Sequence, residues 1–384
     1  MGRLEHQETY SGNHVLSDYP MSIGNVRIPL SQQQGFFLSS KERSIAPPLP
    51  KEPPNNPVKK SPEEQVIEAL RTDEAVRFVE ATIKKSYGSC RFFIGHEREA
   101  EDMVTDAFNL MRLMSGRSIN GGSKVTTDEG LREAFAKIHA EIFKPGVPSF
   151  WFQEAYSRYR KERSRIDFAQ VREYIRGNRV LDFGSGSGNF ALELHSNGYD
   201  VFTADPIDYR AKKVKNSGIP FYLMQSPRDI DYPDNFFDTT FIMNVLHHID
   251  EADLSHVLEK LSRVASRLII KEDLLCGPDD LKRYGASDMM TEGFMEKYLQ
   301  LSPEQQRKSL IIFDYFGNSI SGWSIAKMNM PFQFKTVAEW ITLFSQHGFA
   351  TTHARITGFE EYKLHKVPQE ILICDRKNVH SDEL

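Results

Sequence analysis

The spacing of apolar residues changes character twice along the chain. Up to about residue 60 it has no regular period. From Ser61, Val66, Ile67, Leu70, Val76, Val79 and Ile83 recur at helical spacing. Ser61-Pro62-Glu63-Glu64 reads as a helix start: a serine cap, proline in the first turn, and carboxylates near the positive helix end. Helical patterns follow over Glu97–Met114, Thr127–Ile142 and Trp151–Ile175, with loop chemistry at Ser115-Gly116 and Asn120-Gly121-Gly122-Ser123. At Arg179 the texture changes again. Short apolar runs alternate with helical patterns: Val180–Phe183, Val201–Ala204, Phe221–Met224, Thr239–Met243, Leu268–Ile270 and Glu370–Cys374. Strands alternating with helices predict a mostly parallel sheet covered on both faces.

Composition adds limits. Eight of the 19 prolines lie in residues 1–60, six of them between Pro47 and Pro57, which predicts an extended arm or linker there. The chain has 384 residues, 40% of them hydrophobic, enough for a sizeable core. Net charge is −5 with 26% charged residues, which argues against binding nucleic acid through bulk charge. Three cysteines cannot form a disulfide framework, so a reducing, cytoplasmic setting is expected. No apolar run approaches a membrane span, so no membrane partner is expected. The ending Ser381-Asp382-Glu383-Leu384 looks like a variant of an ER-retention tail, but no signal sequence opens the chain, and it reads as a solvated terminus.

The first strand runs into Asp182-Phe183-Gly184-Ser185-Gly186-Ser187-Gly188, and a helix follows from Asn189 to Asn197. Closely spaced glycines let backbone pass close to a ligand, because no Cβ intervenes. The dinucleotide pattern G-x-G-x-x-G fails, since Asn189 stands where the third glycine is needed. Asp-x-Gly-x-Gly-x-Gly matches at every position. Val201–Asp205 then ends in an acid 23 residues after Asp182, where such folds hold ribose hydroxyls. Ile230–Asp238 leads into the fourth strand, which ends Val245-Leu246-His247-His248-Ile249.

These three ordered segments resemble class I S-adenosylmethionine-dependent methyltransferases of the small-molecule, "methyltransferase type 11" kind, over roughly residues 178–376. The resemblance implies a Rossmann-like, seven-stranded, mostly parallel α/β sheet, with S-adenosylmethionine as cofactor. It implies a cofactor set of Asp182, Gly184, Ser185, Gly186, Gly188, Asp205 and Asn244. Family members usually hold the adenine amino group with an acid after the third strand; the matching position here is Ser226, with Asp229 as an alternative. The segments Asp314–Asn318, Asn329–Phe332, Thr336–Trp340 and Gly348-Phe349 look like the tail of a subset of small-molecule methyltransferases, in which an insertion precedes the last helix and a closing hairpin.

Methyl transfer needs orientation first, and a base only where the acceptor must lose a proton. His247, beyond the fourth strand, and Asp273, past the fifth, are the candidate catalytic groups, against a packing role for each. No zinc ligand set or magnesium carboxylate cluster is visible in the spacing. The family's Asn/Asp-Pro-Pro-Tyr signature is absent too. Five of the 12 methionines lie between Met289 and Met330, as pocket wall or core filling. Trp151, Phe152, Tyr156 and Tyr159 share a helical face, as lid or as packing. The same helix carries Arg158, Arg160, Lys161, Arg163 and Arg165, read first as a solvated face and second as a site for an anion.

The resulting expectation is a proline-rich arm at 1–60, a helical cap at 61–177 and a cofactor-binding domain at 178–384, with a helical insertion at about 274–335. Tyr156, Tyr159, Met289 and Trp323 are the expected substrate contacts. The partner is a small-molecule methyl acceptor, methylated on O or N. The alternatives are a protein or RNA acceptor, or a non-catalytic protein that binds the cofactor.

Overall fold

A computed structural model describes residues 60–120, 149–285, 293–320, 328–360 and 362–377. All belong to one compact unit, Val58–Leu384. The proline-rich arm, the Thr127–Ile142 helical pattern, Met289, Trp323 and the last four residues lie outside the described residues.

The chain enters through α1 (Pro62–Leu70) and α2 (Asp73–Gly88). Ser61 and Glu64 form the reciprocal cap expected of that sequence: the Glu64 amide donates to Ser61 Oγ and the Ser61 amide donates to Glu64. α3 (Glu97–Asn120) and α4 (Ser149–Val171) follow, the latter leading towards the sheet.

The sheet has seven strands: β1 (Arg179–Phe183), β2 (Asp200–Asp205), β3 (Phe221–Leu223), β4 (Thr239–Met243), β5 (Arg267–Asp273), β6 (Phe349–Thr357) and β7 (Gln369–Arg376). Their order is β3-β2-β1-β4-β5-β7-β6, and β7 runs antiparallel to both its neighbours while the rest are parallel. All six apolar runs of the sequence become strands. β6 is the addition: it is an edge strand whose residues alternate in burial, so it carries no continuous apolar run.

Both sheet faces are covered, and the pleat sorts the side chains. Leu268, Ile270 and Leu372 join one apolar cluster, whereas Ile269, Ile371 and Ile373 join the other. The second cluster packs against α4 and α5 (Asn189–Ser196). α6 (Lys212–Lys215) follows β2, and α7 (Glu251–Val264) packs on the first face.

After β5 the chain forms α8 (Pro278–Tyr284), α9 (Phe294–Leu299) and α10 (Pro303–Ile320), then α11 (Val337–Gln346) before the β6–β7 hairpin. The inserted α10 packs on the N-terminal helices. Phe78 meets Phe313 at 6.2 Å, and Phe316 meets Tyr87 at 6.1 Å and Phe108 at 5.5 Å between ring centroids. Two segments distant in sequence therefore share one apolar layer above the carboxyl ends of the strands.

Candidate active site

The glycine loop sits at the carboxyl end of β1. Gly184 has φ +72°, and a Cβ there would lie 2.5 Å from Val245. Gly188 has the same φ, and its Cβ would lie 2.7 Å from Val214. Glycine is required at both by conformation and by packing. Asp205, at the end of β2, holds the loop from below: its Oδ2 accepts from the Gly186 amide at 2.9 Å and its Oδ1 from the Ile207 amide at 2.9 Å. Asp182 is buried beside it. Burial and the charge of Asp205 push its carboxyl up to about 7. Asp182 Oδ2 and Ser185 Oγ are buried atoms with no hydrogen-bond partner among the described residues. Buried unpaired groups of this kind mark a place shaped for a ligand that carries positive charge and donors.

The loop opens into a cavity of about 250 Å³. Tyr156, Tyr159, Arg160 and Arg163 of α4 form one wall, and Phe313, Asp314 and Asn318 of α10 face them. Asn244, His247, His248 and Asp273 form the floor, and Lys363 and His365 come from the β6–β7 connection.

Two polar networks brace the cavity. Asp273 Oδ1 accepts from Asn244 Nδ2 at 2.8 Å and from Gln369 Nε2 at 2.6 Å, and burial raises the Asp273 pKa. Asn244 itself adopts φ +59° and accepts from Arg163 at 3.2 Å. In the second network the Lys271 ammonium donates to Asp167 at 2.7 Å, with Arg163 and Lys363 nearby at 3.4 and 3.9 Å. Burial opposes the charge of Asp167, but these three cations hold its carboxyl well below the usual range. Burial and the charges of Lys271 and Arg163 push the Lys363 ammonium down to about 7. Arg160, also on the cavity wall, has no hydrogen-bond or ion-pair partner among the described residues.

The histidine pair lies at the centre of the floor. His247 is 1% exposed and its Nδ1 lies 2.5 Å from Glu272 Oε2. Glu272 Oε1 accepts from the Val245 and Leu246 amides at 2.6 and 2.7 Å. His247 Nε2 points towards Asp314 Oδ1, 3.6 Å away, and His248 Nε2 lies 3.7 Å from the same oxygen. Burial works against a charged His247 ring, but Glu272 and Asp314 raise its pKa well above 6.5. Burial and His247 push His248 down to about 4.

Of the sequence candidates, Asp182, Gly184, Ser185, Gly186, Asn244, His247, Asp273, Tyr156 and Tyr159 border this one cavity. Gly188, Asp205 and Ser226 do not, although Asp205 reaches it through Gly186. Asp229 is engaged with Tyr222 and the Gln225 amide. The aromatic stripe divides: Trp151 stacks on His96 at 4.4 Å and Phe152 is buried among other rings, while the two tyrosines reach the cavity. The basic run divides as well. Arg158, Lys161 and Arg165 are exposed as a solvated face requires, but Arg160 and Arg163 turn inward. A helical projection of the run would have separated them. Lys363 and His365 gave no signal, because nothing local ties the β6–β7 connection to the loop after β1.

A sheet of this order, with a glycine loop after β1 and an acid closing β2, is the Rossmann-like fold that the resemblance to class I S-adenosylmethionine-dependent methyltransferases implies. Residues 181–267 match the family model described as "Methyltransferase domain". A ubiquinone biosynthesis O-methyltransferase of Rhizobium etli (strain CIAT 652) is 26% identical over 143 residues, covering 34% of this chain and 58% of the relative. The chain thus spans little more than half the length of that curated relative. Among solved structures, the pyocyanin biosynthetic protein PhzM has a TM-score of 0.42 at 14% identity, covering 72% of each chain. A 1,6-didemethyltoxoflavin-N1-methyltransferase of Burkholderia thailandensis, solved with S-adenosylhomocysteine, has a TM-score of 0.38 at 14% identity, covering 65% of this chain and 88% of its own.

Proposed function

We propose that this protein transfers the methyl group of S-adenosylmethionine to an oxygen or nitrogen of a small or medium-sized organic acceptor. The observation that carries this reading is that one cavity joins the glycine loop to an aromatic wall. Its lining includes Asp182 and Ser185 of the glycine loop, with buried atoms unpaired among the described residues, and also Tyr156, Phe313 and His365.

When bound, the cofactor supplies an electrophilic methyl on a sulfonium. The chain's own residues do the rest. Asp182 and the loop amides hold the polar, cationic end, and Asp205 keeps the loop in place through Gly186. The rings of Tyr156, Tyr159 and Phe313 offer flat apolar surface to an acceptor and exclude water. Arg160, without an ion-pair partner among the described residues, offers its guanidinium to an anionic group in the same space. A cavity of about 250 Å³ lined by α4 and α10 favours a small molecule over a protein or RNA chain.

Calorimetry with S-adenosylmethionine and S-adenosylhomocysteine tests the first half, and binding by neither overturns it. Methyl transfer from labelled cofactor to a panel of phenols, aromatic carboxylates and amines tests the second. Labelling only of macromolecular fractions would move the acceptor to protein or RNA.

A further inference from the structure

We propose that His247, His248 and Asp314 form a site for one divalent transition-metal ion at the acceptor end of the cavity. The three side chains come from two elements far apart in the chain, the turn after β4 and the middle of α10. One donor atom from each lies within 4.8 Å of the others. The Nε2 atoms of His247 and His248 stand 3.6 and 3.7 Å from Asp314 Oδ1. Metal–nitrogen and metal–oxygen bonds near 2.1 Å at a tetrahedral centre give donor–donor edges of about 3.4 Å. These gaps are too long for hydrogen bonds and close to the edges a bound ion would span.

Among the described residues His247 Nε2 and Asp314 Oδ2 are buried with no hydrogen-bond partner, while Asp314 Oδ1 accepts from Asn318 Nδ2 at 2.7 Å. His247 is 1% exposed and Asp314 9%. The surroundings favour a ligand role for that nitrogen. Glu272 takes Nδ1 of His247, and is itself held by two backbone amides, which turns Nε2 towards Asp314. A carboxylate behind a histidine is the usual support for a metal-bound imidazole, since it fixes the tautomer and raises basicity. Two carboxylates around one imidazole also supply the negative charge a dication needs. Two imidazoles and one carboxylate suit zinc, iron(II), cobalt(II) and their neighbours better than magnesium or calcium.

All three residues border the cavity, so remaining coordination positions face the space assigned to the acceptor. Resting on the methyl-transfer reading, this makes the favoured acceptor one with an oxygen able to coordinate: a phenol, catechol or carboxylate-bearing ring. Coordination would hold that oxygen and make its proton easier to lose.

The full chain, stripped with a chelator and dialysed, is titrated with Co²⁺ and with Zn²⁺ by calorimetry, and the Co²⁺ form is followed by its visible absorption. One equivalent per chain is expected, with visible bands of a low-symmetry site. Asp314→Asn should abolish those bands, and Glu272→Gln should weaken binding about ten- to a hundredfold. His248→Gln serves as a second variant if melting curves show either of these unfolded. No one-equivalent binding by the parent chain, or binding unchanged in folded Asp314→Asn and His248→Gln, overturns the site. S-adenosylhomocysteine binding is measured on the same stripped protein. Cofactor binding without metal binding removes the metal site alone, while loss of cofactor binding strikes the methyl-transfer reading.

Discussion

The two ends of the cavity are built in opposite ways. The glycine-loop end comes from one stretch of chain, Asp182 to Asp205, and is acidic. Its carboxylates meet backbone amides or nothing at all. The acceptor side is assembled from α4, the turn after β4, α10 and the β6–β7 connection, and its walls mix Arg160, Arg163 and Lys363 with Asp167, Asp273 and Asp314. One cavity thus sets a purely acidic glycine loop against a side where both signs of charge meet.

Four changes probe this contrast. The largest effect on cofactor binding belongs to Gly184→Ala, which forces a side chain into φ +72° and against Val245. It should cost about 3 kcal/mol in unfolding free energy and remove cofactor binding, read by melting and calorimetry. A fully stable variant would show that the loop shape is not fixed by packing. Next is Asp205→Ala, which leaves the Gly186 and Ile207 amides without their acceptor. Affinity for S-adenosylhomocysteine should fall by about 1–3 kcal/mol with little change at the acceptor end.

Asp182→Asn follows, with opposite signs for stability and binding. In the folded protein the Asp182 pKa is raised to about 7, above its unfolded value. The carboxyl therefore contributes stability below about pH 4, which is lost as pH rises through 7. The asparagine variant of the ligand-free protein should gain over the parent chain across that window and level off above it, by up to about 4 kcal/mol. Its cofactor affinity should drop. Equal melting profiles from pH 5 to 8 would show that Asp182 is already ionised and paired. The smallest effect is expected of Arg160→Met. Removing a half-buried charge that has no ion-pair partner among the described residues should leave stability unchanged or slightly raised, within about 1 kcal/mol. Comparing S-adenosylhomocysteine with methylthioadenosine, which lacks the amino-acid end, then says what Arg160 holds. A loss for the first alone assigns it to the cofactor's carboxylate. No loss for either leaves it to the acceptor.

The same contrast explains what could be read without coordinates. Asp182, Gly184, Gly186 and Gly188 are legible because a strand, a turn and a helix start impose residue types at fixed offsets. Asp205 is legible because a βαβ unit returns the next parallel strand to the same edge at a narrow range of lengths. Edge strand β6 was foreseen only as part of a hairpin, because half-solvated residues leave no apolar run. Arg160 and Arg163 are unremarkable members of a basic run until α4 is placed on the sheet.

The sequence by itself determined the sheet, its flanking helices and the loop at the cofactor end. Each of these follows from local periodicity and backbone sterics within a few tens of residues. Only the tertiary structure decided the acceptor end. Which cations turn inward, and the meeting of His247, His248 and Asp314, depend on how α10 packs against α2, α3 and the sheet. Burial of Phe78, Phe313 and Phe316 settles that packing, and apolar burial is not directional enough for sequence spacing to reveal which polar groups it carries into contact.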